Sequence, residues 1–471
     1  MHLLLSQEGL CKLQEPVLFF KELWSELRIL SGLSSSINNF GKIINMERVY
    51  AKEVFEKKEG EVLLKGWVER KRELGKVAFI ILRDRSGKVQ CVAKEREEVI
   101  KKIKELDRED VVEVRGRIVE NEKAPGGKEV IIEEIKRISK AFPLPIEIDE
   151  HIKTDLSKRL DYRFLDLRRE KVRDIFWLKA KVLKFFREFL TEKGYVEVNT
   201  PKIVAEGTEG GAEIFPVLYY DKQGFLAQSP QFYKQMMQAA GFEKVFEIGY
   251  AYRAEKSHTV RHVSEILMLD VEESFISFEK HLGLLEDMIR FVIKRVLEEG
   301  KEEIERLGVK VEVPEKPFPR LHIKEIVKIL GLEKADDLGT EGEKRLGEYV
   351  KEKEGHDFVF VIGYPFEVRP FYTMKDEQDE FFTKSFDLLF KGTEIVTGGQ
   401  REHRYDVLVR QASEKGIKIE NARFYFEAFK YGIPPHAGFG LGIDRFLMEL
   451  LNLKNIREVI LFPRDAERLT P

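Results

Sequence analysis

The sequence predicts an α+β protein in two folded units, a small all-β unit followed by a larger one that mixes helices and strands. Three observations carry this. Alternating apolar segments separated by turn signals fill residues 47–139, long amphipathic helical patterns begin beyond Asp161, and Pro143 and Pro145 stand between the two regimes. At 471 residues the chain exceeds what one core usually spans. With 43% hydrophobic and 35% charged residues, and no apolar run near the roughly 18 residues that a membrane span needs, the composition predicts a soluble, cytoplasmic protein and excludes a membrane one. The 81 basic and 84 acidic residues nearly cancel, so any nucleic-acid binding must come from local basic patches. Cys11 and Cys91 fall in separate segments without metal-ligand spacing, which indicates neither a disulfide framework nor a zinc site.

In chain order, residues 1–45 carry a Ser/Asn patch from Ser34 to Asn39 and no basic leader, and Met46 is the expected natural start; a helical appendage around Val17 to Leu30 is the alternative. The segments Glu61–Val68, Ala78–Asp84, Val89–Ala93, Val111–Ile118 and Glu129–Ile135 read as strands, with a turn at Ser86-Gly87 and a helix from Glu95 to Leu106. Five strands with a helix after the third is the order of an OB-fold barrel, a common binder of single-stranded nucleic acid. The expected divisions are 46–140 for the barrel, 141–170 for a linker, and 171–471 for the α+β unit with a helical insertion around 280–360. In that unit Glu170–Lys193 and Phe278–Leu307 read as helices, and Phe246–Arg253 and Leu267–Phe275 as strands.

Three segments of the larger unit carry chemistry. Lys193-Gly194-Tyr195-Val196-Glu197-Val198-Asn199-Thr200-Pro201 is a helix end, a strand and a proline. Tyr252-Arg253-Ala254-Glu255 leads through Arg261-His262 to Glu265 and the strand that carries Leu267 to Asp270; Arg253 and His262 offer groups for a polyphosphate, and Glu255 an acceptor for an adenine amino group. Gly438-Phe439-Gly440-Leu441-Gly442-Ile443-Asp444-Arg445 opens a helix, with glycines for close approach to a nucleotide and Arg445 for a terminal phosphate. Neither a Rossmann fingerprint nor a P-loop is present.

Between the second and third segments, Phe386 to Val396 reads as a hairpin turning at Lys391-Gly392. Leu389 would then face Glu394 and Asp387 would face Val396, placing both carboxylates on one sheet face, where a divalent ion bridging nucleotide phosphates relieves their repulsion. After Gly398-Gly399, Arg401 offers a planar fork suited to a small carboxylate. Gln231 and Lys234, three apart, share one side of a helix start.

The three segments, in this order and spacing, resemble motifs 1, 2 and 3 of the class II aminoacyl-tRNA synthetases. The similarity runs from about Met46 to Pro471 and is nearest to the archaeal-type aspartyl-tRNA synthetases, including Arg163-Phe164-Leu165-Asp166-Leu167-Arg168-Arg169 and Phe462-Pro463-Arg464. The resemblance implies ATP-dependent activation of L-aspartate to aspartyl-adenylate on an antiparallel sheet, Mg2+ as cofactor, and transfer to the terminal ribose of tRNA(Asp), in a homodimer formed through motif 1 at Pro201. It gives ATP to Arg253, Glu255, Arg261, His262, Glu394, Gly442 and Arg445, with Arg253, Glu394 and Arg445 acting in catalysis. Aspartate falls to Glu209, in the glycine-rich loop Glu206 to Gly211, and to Gln231, Lys234, Asp270, Thr397 and Arg401; the metal falls to Glu394, Thr397 and Asp387. Two cations, Arg401 and Lys234, suit aspartate rather than asparagine.

In the barrel, the resemblance implies that Phe79 and Gln90 read the central anticodon base, with Lys71, Arg72 and Arg83 near phosphates. The third base falls near Glu69, where strict relatives carry Trp and relaxed ones His; Glu69 fits neither, and charging of tRNA(Asn) as well as tRNA(Asp) is the expectation. Where the family offers an aromatic to adenine, this chain reads Ile266-Leu267-Met268-Leu269, so an aliphatic platform or Phe439 is expected there.

Overall fold

The computed structural model describes residues 46–205, 213–255, 259–334 and 338–471. The chain divides into two compact units, one ending at Leu144 and one running from Pro145 to Pro471. Much of the expected linker therefore belongs to the second unit. The reason is Arg163, which is fully buried, pairs with Asp166 at 2.7 Å and donates to the carbonyls of Leu461, Glu458 and Ile460 at 2.9–3.1 Å. A buried guanidinium needs such acceptors, and here they tie the segment around Arg163 to the chain's end.

In the first unit β1 (Gly60–Leu74), β2 (Val77–Arg83), β3 (Lys88–Lys94), β4 (Val111–Glu120) and β5 (Lys128–Ser139) close a barrel in the order β1-β2-β3-β5-β4, with a helix Glu97–Lys104 after β3. Alternation along β1 buries Val62, Leu64 and Val68. β1 runs beyond the expected Val68 because Leu74 pairs with Val77 across a turn in which Gly75 takes φ +59°.

The second unit is built on an eight-stranded sheet. Its strands, with a small three-stranded sheet beside them, are β6 (Val196–Glu197), β7 (Ile203–Val204), β8 (Pro216–Tyr219), β9 (Lys222–Leu226), β10 (Lys244–Tyr252), β11 (Glu265–Ser274), β12 (Arg320–His322), β13 (Phe358–Ile362), β14 (Ser385–Phe390), β15 (Thr393–Gln400) and β16 (His436–Gly442). The large sheet has the order β12-β13-β14-β15-β16-β11-β10-β6, antiparallel except at its two outer pairs, and β7, β9 and β8 form the small one. Helices Glu170–Glu192 and Phe278–Glu299 supply Phe185, Phe186, Leu285 and Ile289 to the core, which also takes Leu269, Val271, Phe386, Leu388 and Phe439 from the sheet. The period of two along each strand leaves Met268, Asp270, Glu272, Asp387 and Thr397 for the other face. The expected helix Phe278–Leu307 is two helices that meet at Gly300, where a side chain would press on Leu178 at 2.6 Å.

The β14–β15 hairpin corrects one expectation. Leu389 does face Glu394, but Asp387 faces Thr397 rather than Val396, because a bulge beside Leu388 and Leu389 admits one extra residue on β15. Thr397 thereby comes to stand against the Asp387 carboxylate.

Candidate active site

A cavity of about 310 Å³ opens on the sheet face away from the core helices, lined by residues from β10, β11, β14, β15, β16 and the helix Gln231–Ala239. Its two ends differ in chemistry.

At one end Lys234 and Arg401 meet two acids. Lys234 Nζ donates to Asp270 Oδ1 at 3.0 Å and to the Phe439 carbonyl at 3.1 Å, and lies 3.4 Å from Glu272 Oε2. Arg401 Nε donates to Glu272 Oε1 at 3.0 Å, and its Nη2 to Gln231 Oε1 at 3.4 Å. Glu272 is completely buried. Burial alone would raise its pKa, but Arg401 and Lys234 outweigh that and hold it below the usual carboxylate value. Behind them Gln231 Nε2 donates to Gln235 Oε1 at 2.9 Å, and the Tyr425 hydroxyl to the same oxygen at 3.1 Å.

Glu272 went unnoticed in the sequence, although Asp270 and Glu272, at alternate positions of one strand, put two carboxylates on the same face. It also explains a glycine. A Cβ at Gly438 would lie 1.8 Å from Glu272 Oε2, so this glycine of the third motif makes room for a carboxylate, not for a nucleotide as expected.

Around Arg369 and Glu394, which also line the cavity, three acids face three arginines. Arg369 Nη2 donates to Asp387 Oδ2 at 2.6 Å and its Nη1 to Thr397 Oγ1 at 2.9 Å, while Thr397 donates to Asp387 Oδ1 at 2.5 Å. The guanidinium lies 3.8 Å over the Tyr364 ring. The repulsion expected to require a metal is thus answered at Asp387 by Arg369, which the sequence reading missed, and Asp387 has both oxygens engaged. Glu394 is looser: Arg445 Nη1 stands 3.9 Å from its carboxylate and donates to its backbone carbonyl at 3.2 Å. Burial first, then the neighbouring Asp387, push the Glu394 carboxyl up to about 7, against the opposing pull of Arg445. The third acid, Glu343 on the helix Gly339–Glu354, accepts from the Glu394 backbone N–H at 3.3 Å and lies 3.8 Å from Arg261.

Arg253 lines the same cavity 3.9 Å from Glu255, whose other oxygen faces His262 Nε2 at 3.5 Å. Burial, with Arg445, Arg253 and Arg261 nearby, holds the His262 pKa below its ordinary value despite Glu255. Gly442 ends β16 opposite Met268, and Arg445 follows on the helix Ile443–Leu450. Among the described residues no three His, Cys, Asp or Glu side chains gather closely enough to hold a metal by themselves. An ion at Glu394 would therefore need oxygens from a bound ligand, which suits a hard cation on phosphates.

Phe439 is fully buried in the core, 5.3 Å from His281, so it cannot stack on a base; Met268 instead lines the cavity. Pro201 is exposed just after β6, and Thr200 beside it is fixed by Glu247 at 2.7 Å and 3.0 Å. Glu209 lies outside the described residues.

On the barrel, the register Phe79↔Val92 and Ile81↔Gln90 puts Phe79 and Gln90 on one face, both half-buried, with Gln90 donating to Glu129 at 2.9 Å. Glu69 lies 3.1 Å from Lys88 and 3.8 Å from Arg83. Two expected phosphate contacts are otherwise occupied: Arg83 is buried against Glu109 at 2.7 Å, and Lys71 donates to the carbonyls of Lys104 and Leu106. Arg72 is exposed beside Phe79.

Residues 155–466 match the model of "tRNA synthetases class II (D, K and N)", and residues 62–138 that of an OB-fold nucleic acid binding domain. An "Aspartate--tRNA(Asp) ligase" from Pyrococcus abyssi is 46% identical over 90% of this chain and 99% of its own length. An "Aspartate--tRNA(Asp/Asn) ligase" from Methanococcus vannielii is 45% identical over 90% of this chain and 98% of its own. Among solved structures, asparaginyl-tRNA synthetase from Pyrococcus horikoshii complexed with asparaginyl-adenylate superimposes with a TM-score of 0.84 at 35% identity, over 90% of this chain and all of that one. A putative aspartyl-tRNA synthetase from Leishmania major gives 0.82 at 30% identity, over 91% of this chain and 96% of that one.

Proposed function

The chain belongs to the class II tRNA synthetases of the aspartate, lysine and asparagine group, and from that premise we propose that it is an aspartate–tRNA ligase. The observation that carries the choice of amino acid is the pairing of Lys234 and Arg401 around Glu272, in a cavity that Arg253 and Arg369 also line. Arg401 takes the side-chain carboxylate of aspartate in its remaining donors, Lys234 adds charge, and Asp270 faces the ammonium group with Glu209. Gln231 holds the substrate's backbone end. An asparagine amide would meet two guanidinium- and ammonium-type donors with its own donor, which disfavours the reading suggested by the asparaginyl relative.

The chemistry follows from position and charge. The aspartate α-carboxylate attacks the α-phosphorus, forming an oxygen–phosphorus bond as the bond to pyrophosphate breaks. Arg253 meets the charge that develops on the α-phosphate, while Arg445, Arg261 and His262 receive the leaving pyrophosphate. Magnesium, when bound at Glu394, neutralises phosphate charge. The terminal ribose hydroxyl of the tRNA then attacks the acyl carbon of the adenylate, the ester forms and AMP leaves. No side-chain nucleophile is required. Adenine rests against Met268.

Anticodon recognition is assigned to the outer barrel face around Phe79 and Gln90, with Arg72 toward the backbone. Glu69, held by Lys88 and Arg83, presents neither the Trp nor the His pattern, and we assign both tRNA(Asp) and tRNA(Asn) as acceptors. A homodimer through the edge strand β6 and Pro201 is supported by exposed Val196, Ile203, Leu218 and Tyr250 on the same unit. The assigned site of action is the cytoplasm; no helix among the described residues is long and apolar enough to cross a membrane.

The test is aspartate-dependent pyrophosphate exchange without tRNA, followed by charging of both transcripts. Exchange with charging of both is expected. Exchange without charging would point to an amidating or other tRNA-independent paralogue, and no exchange would sink the enzyme reading. Charging of tRNA(Asp) alone would remove the relaxed specificity.

A further inference from the structure

Behind the amino-acid end of the cavity three fully buried side chains from separate elements meet: Gln235 on the helix Gln231–Ala239, Tyr425 on the helix Arg423–Phe429 and His436 at the start of β16. Their hydrogen bonds have only one consistent direction. His436 Nδ1 lies 2.7 Å from the Pro434 carbonyl, which can only accept, so that nitrogen carries the ring proton. Burial holds the His436 pKa down at about 4, against the pull of Glu272, and the ring is neutral at neutral pH. Its Nε2 is therefore an acceptor, and at 3.0 Å it takes a hydrogen bond from Gln235 Nε2.

That direction runs on to the cavity wall. With its nitrogen given to His436, Gln235 turns its oxygen the other way, where it accepts from the Tyr425 hydroxyl at 3.1 Å and from Gln231 Nε2 at 2.9 Å. Gln231, one helical turn before Gln235, then points its own oxygen forward, 3.4 Å from Arg401 Nη2. Reversing the Gln231 amide would set oxygen against oxygen at Gln235 and an N–H group against the Arg401 guanidinium. Tyr425 is held in place by its ring, which stacks on Phe232 at 4.2 Å. Gln231 and Arg401 line the cavity, whereas Gln235, Tyr425 and His436 stand behind its wall.

We propose that Gln235, Tyr425 and His436 are positioning residues for aspartate: as a one-way hydrogen-bond relay they keep the side-chain oxygen of Gln231 turned to Arg401, and so fix both groups that meet the substrate. This rests on the assignment of Gln231 and Arg401 to aspartate. The relay acts through Gln231 and touches no substrate itself.

Pyrophosphate exchange by the full-length chain, titrated with aspartate and with ATP, tests the relay. Gln235→Met, similar in size but without the amide, should raise the KM for aspartate about tenfold, while kcat and the KM for ATP change less than about twofold. Gln235→Glu keeps acceptor oxygens toward Gln231 and Tyr425, with His436 taking up a proton to donate, and should recover to within about threefold of wild type. A side chain that acts through Gln231 loses its effect once Gln231 is gone, so in a Gln231→Met background Gln235→Met should shift the KM by less than about twofold. His436→Leu and His436→Gln, which remove and replace the acceptor for Gln235, provide the same comparison if Gln235→Met does not fold. Equal losses in Gln235→Met and Gln235→Glu, or an effect of Gln235→Met that persists undiminished without Gln231, would overturn the proposal. An unchanged aspartate KM in Gln231→Met would instead remove the assignment of Gln231 beneath it.

Discussion

At the amino-acid end of the cavity Lys234, Arg401, Asp270 and Glu272 are joined by contacts of 3.0–3.5 Å, and all four are at least nine-tenths buried. At the phosphate end Arg445, Arg261 and Arg253 stand 3.8–3.9 Å from Glu394, Glu343 and Glu255. The first arrangement is preorganised: the Arg401 fork proposed to take the substrate is already locked by a carboxylate of the protein, so the proposed binding needs little reorganisation. The second is poised. Apart from the Arg369–Asp387 pair, its charges are present but not committed, and in the proposed reaction they gain their partners from the nucleotide. The proposed function thus places selectivity in the rigid half and leaves the half assigned to a large, common substrate adjustable.

The largest expected effect breaks the rigid half. Arg401→Ala should reduce aspartate-dependent exchange by roughly 10⁴-fold while ATP binding persists, and Arg401→Lys should rescue little, because an ammonium cannot bridge Glu272 and substrate as a fork does. Equilibrium binding of each substrate checks this. Removing Glu272 instead leaves two buried cations with one acid; Glu272→Gln should lose about 3–5 kcal/mol of stability in denaturant unfolding. Glu394→Gln, by contrast, should cost less than about 1 kcal/mol, since burial and Asp387 already push that carboxyl up to about 7, yet exchange should collapse. Equal stability losses in the two variants would erase the distinction between the ends.

Beneath Glu272, the fully buried His281 sharpens the same contrast through pH. Burial holds its pKa down at about 3 from 6.5. The unfolded chain therefore takes up a proton that the folded one refuses, so stability is complete above pH 6.5 and falls, by about 1.4 kcal/mol per pH unit from this group, as pH drops toward 3. His281→Leu should flatten that slope in acid unfolding curves. The smallest effect belongs to Glu255, whose pairs with Arg253 and His262 are loose and partly exposed; Glu255→Gln should alter stability by no more than about 0.5 kcal/mol.

These contrasts also mark what the sequence discloses. The barrel, the long helices and the β14–β15 hairpin were legible because period-two and period-3.6 patterns and turn residues are local signals. Arg253, Lys234, Asp270, Arg401, Glu394 and Arg445 were legible as chemistry in motifs, and the fold does line one cavity with them or bring them to its edge. What was hidden depends on distant packing. Arg369 lies in an irregular stretch between β13 and β14, and nothing local shows that it meets Asp387. Glu343 sits on a helix whose surface pattern resembles any charged helix. The displaced Asp387–Thr397 register required a bulge, which a two-residue turn does not announce, and Phe439 looked available only because its strand face was unknown.

Selection of aspartate by the rigid half is tested most directly by comparing kcat/KM for pyrophosphate exchange with aspartate and with asparagine on the wild-type chain. A preference for aspartate of roughly 10³-fold or more is expected from a locked Arg401–Lys234 pair. Equal use of the two amino acids, or a preference for asparagine, would contradict it.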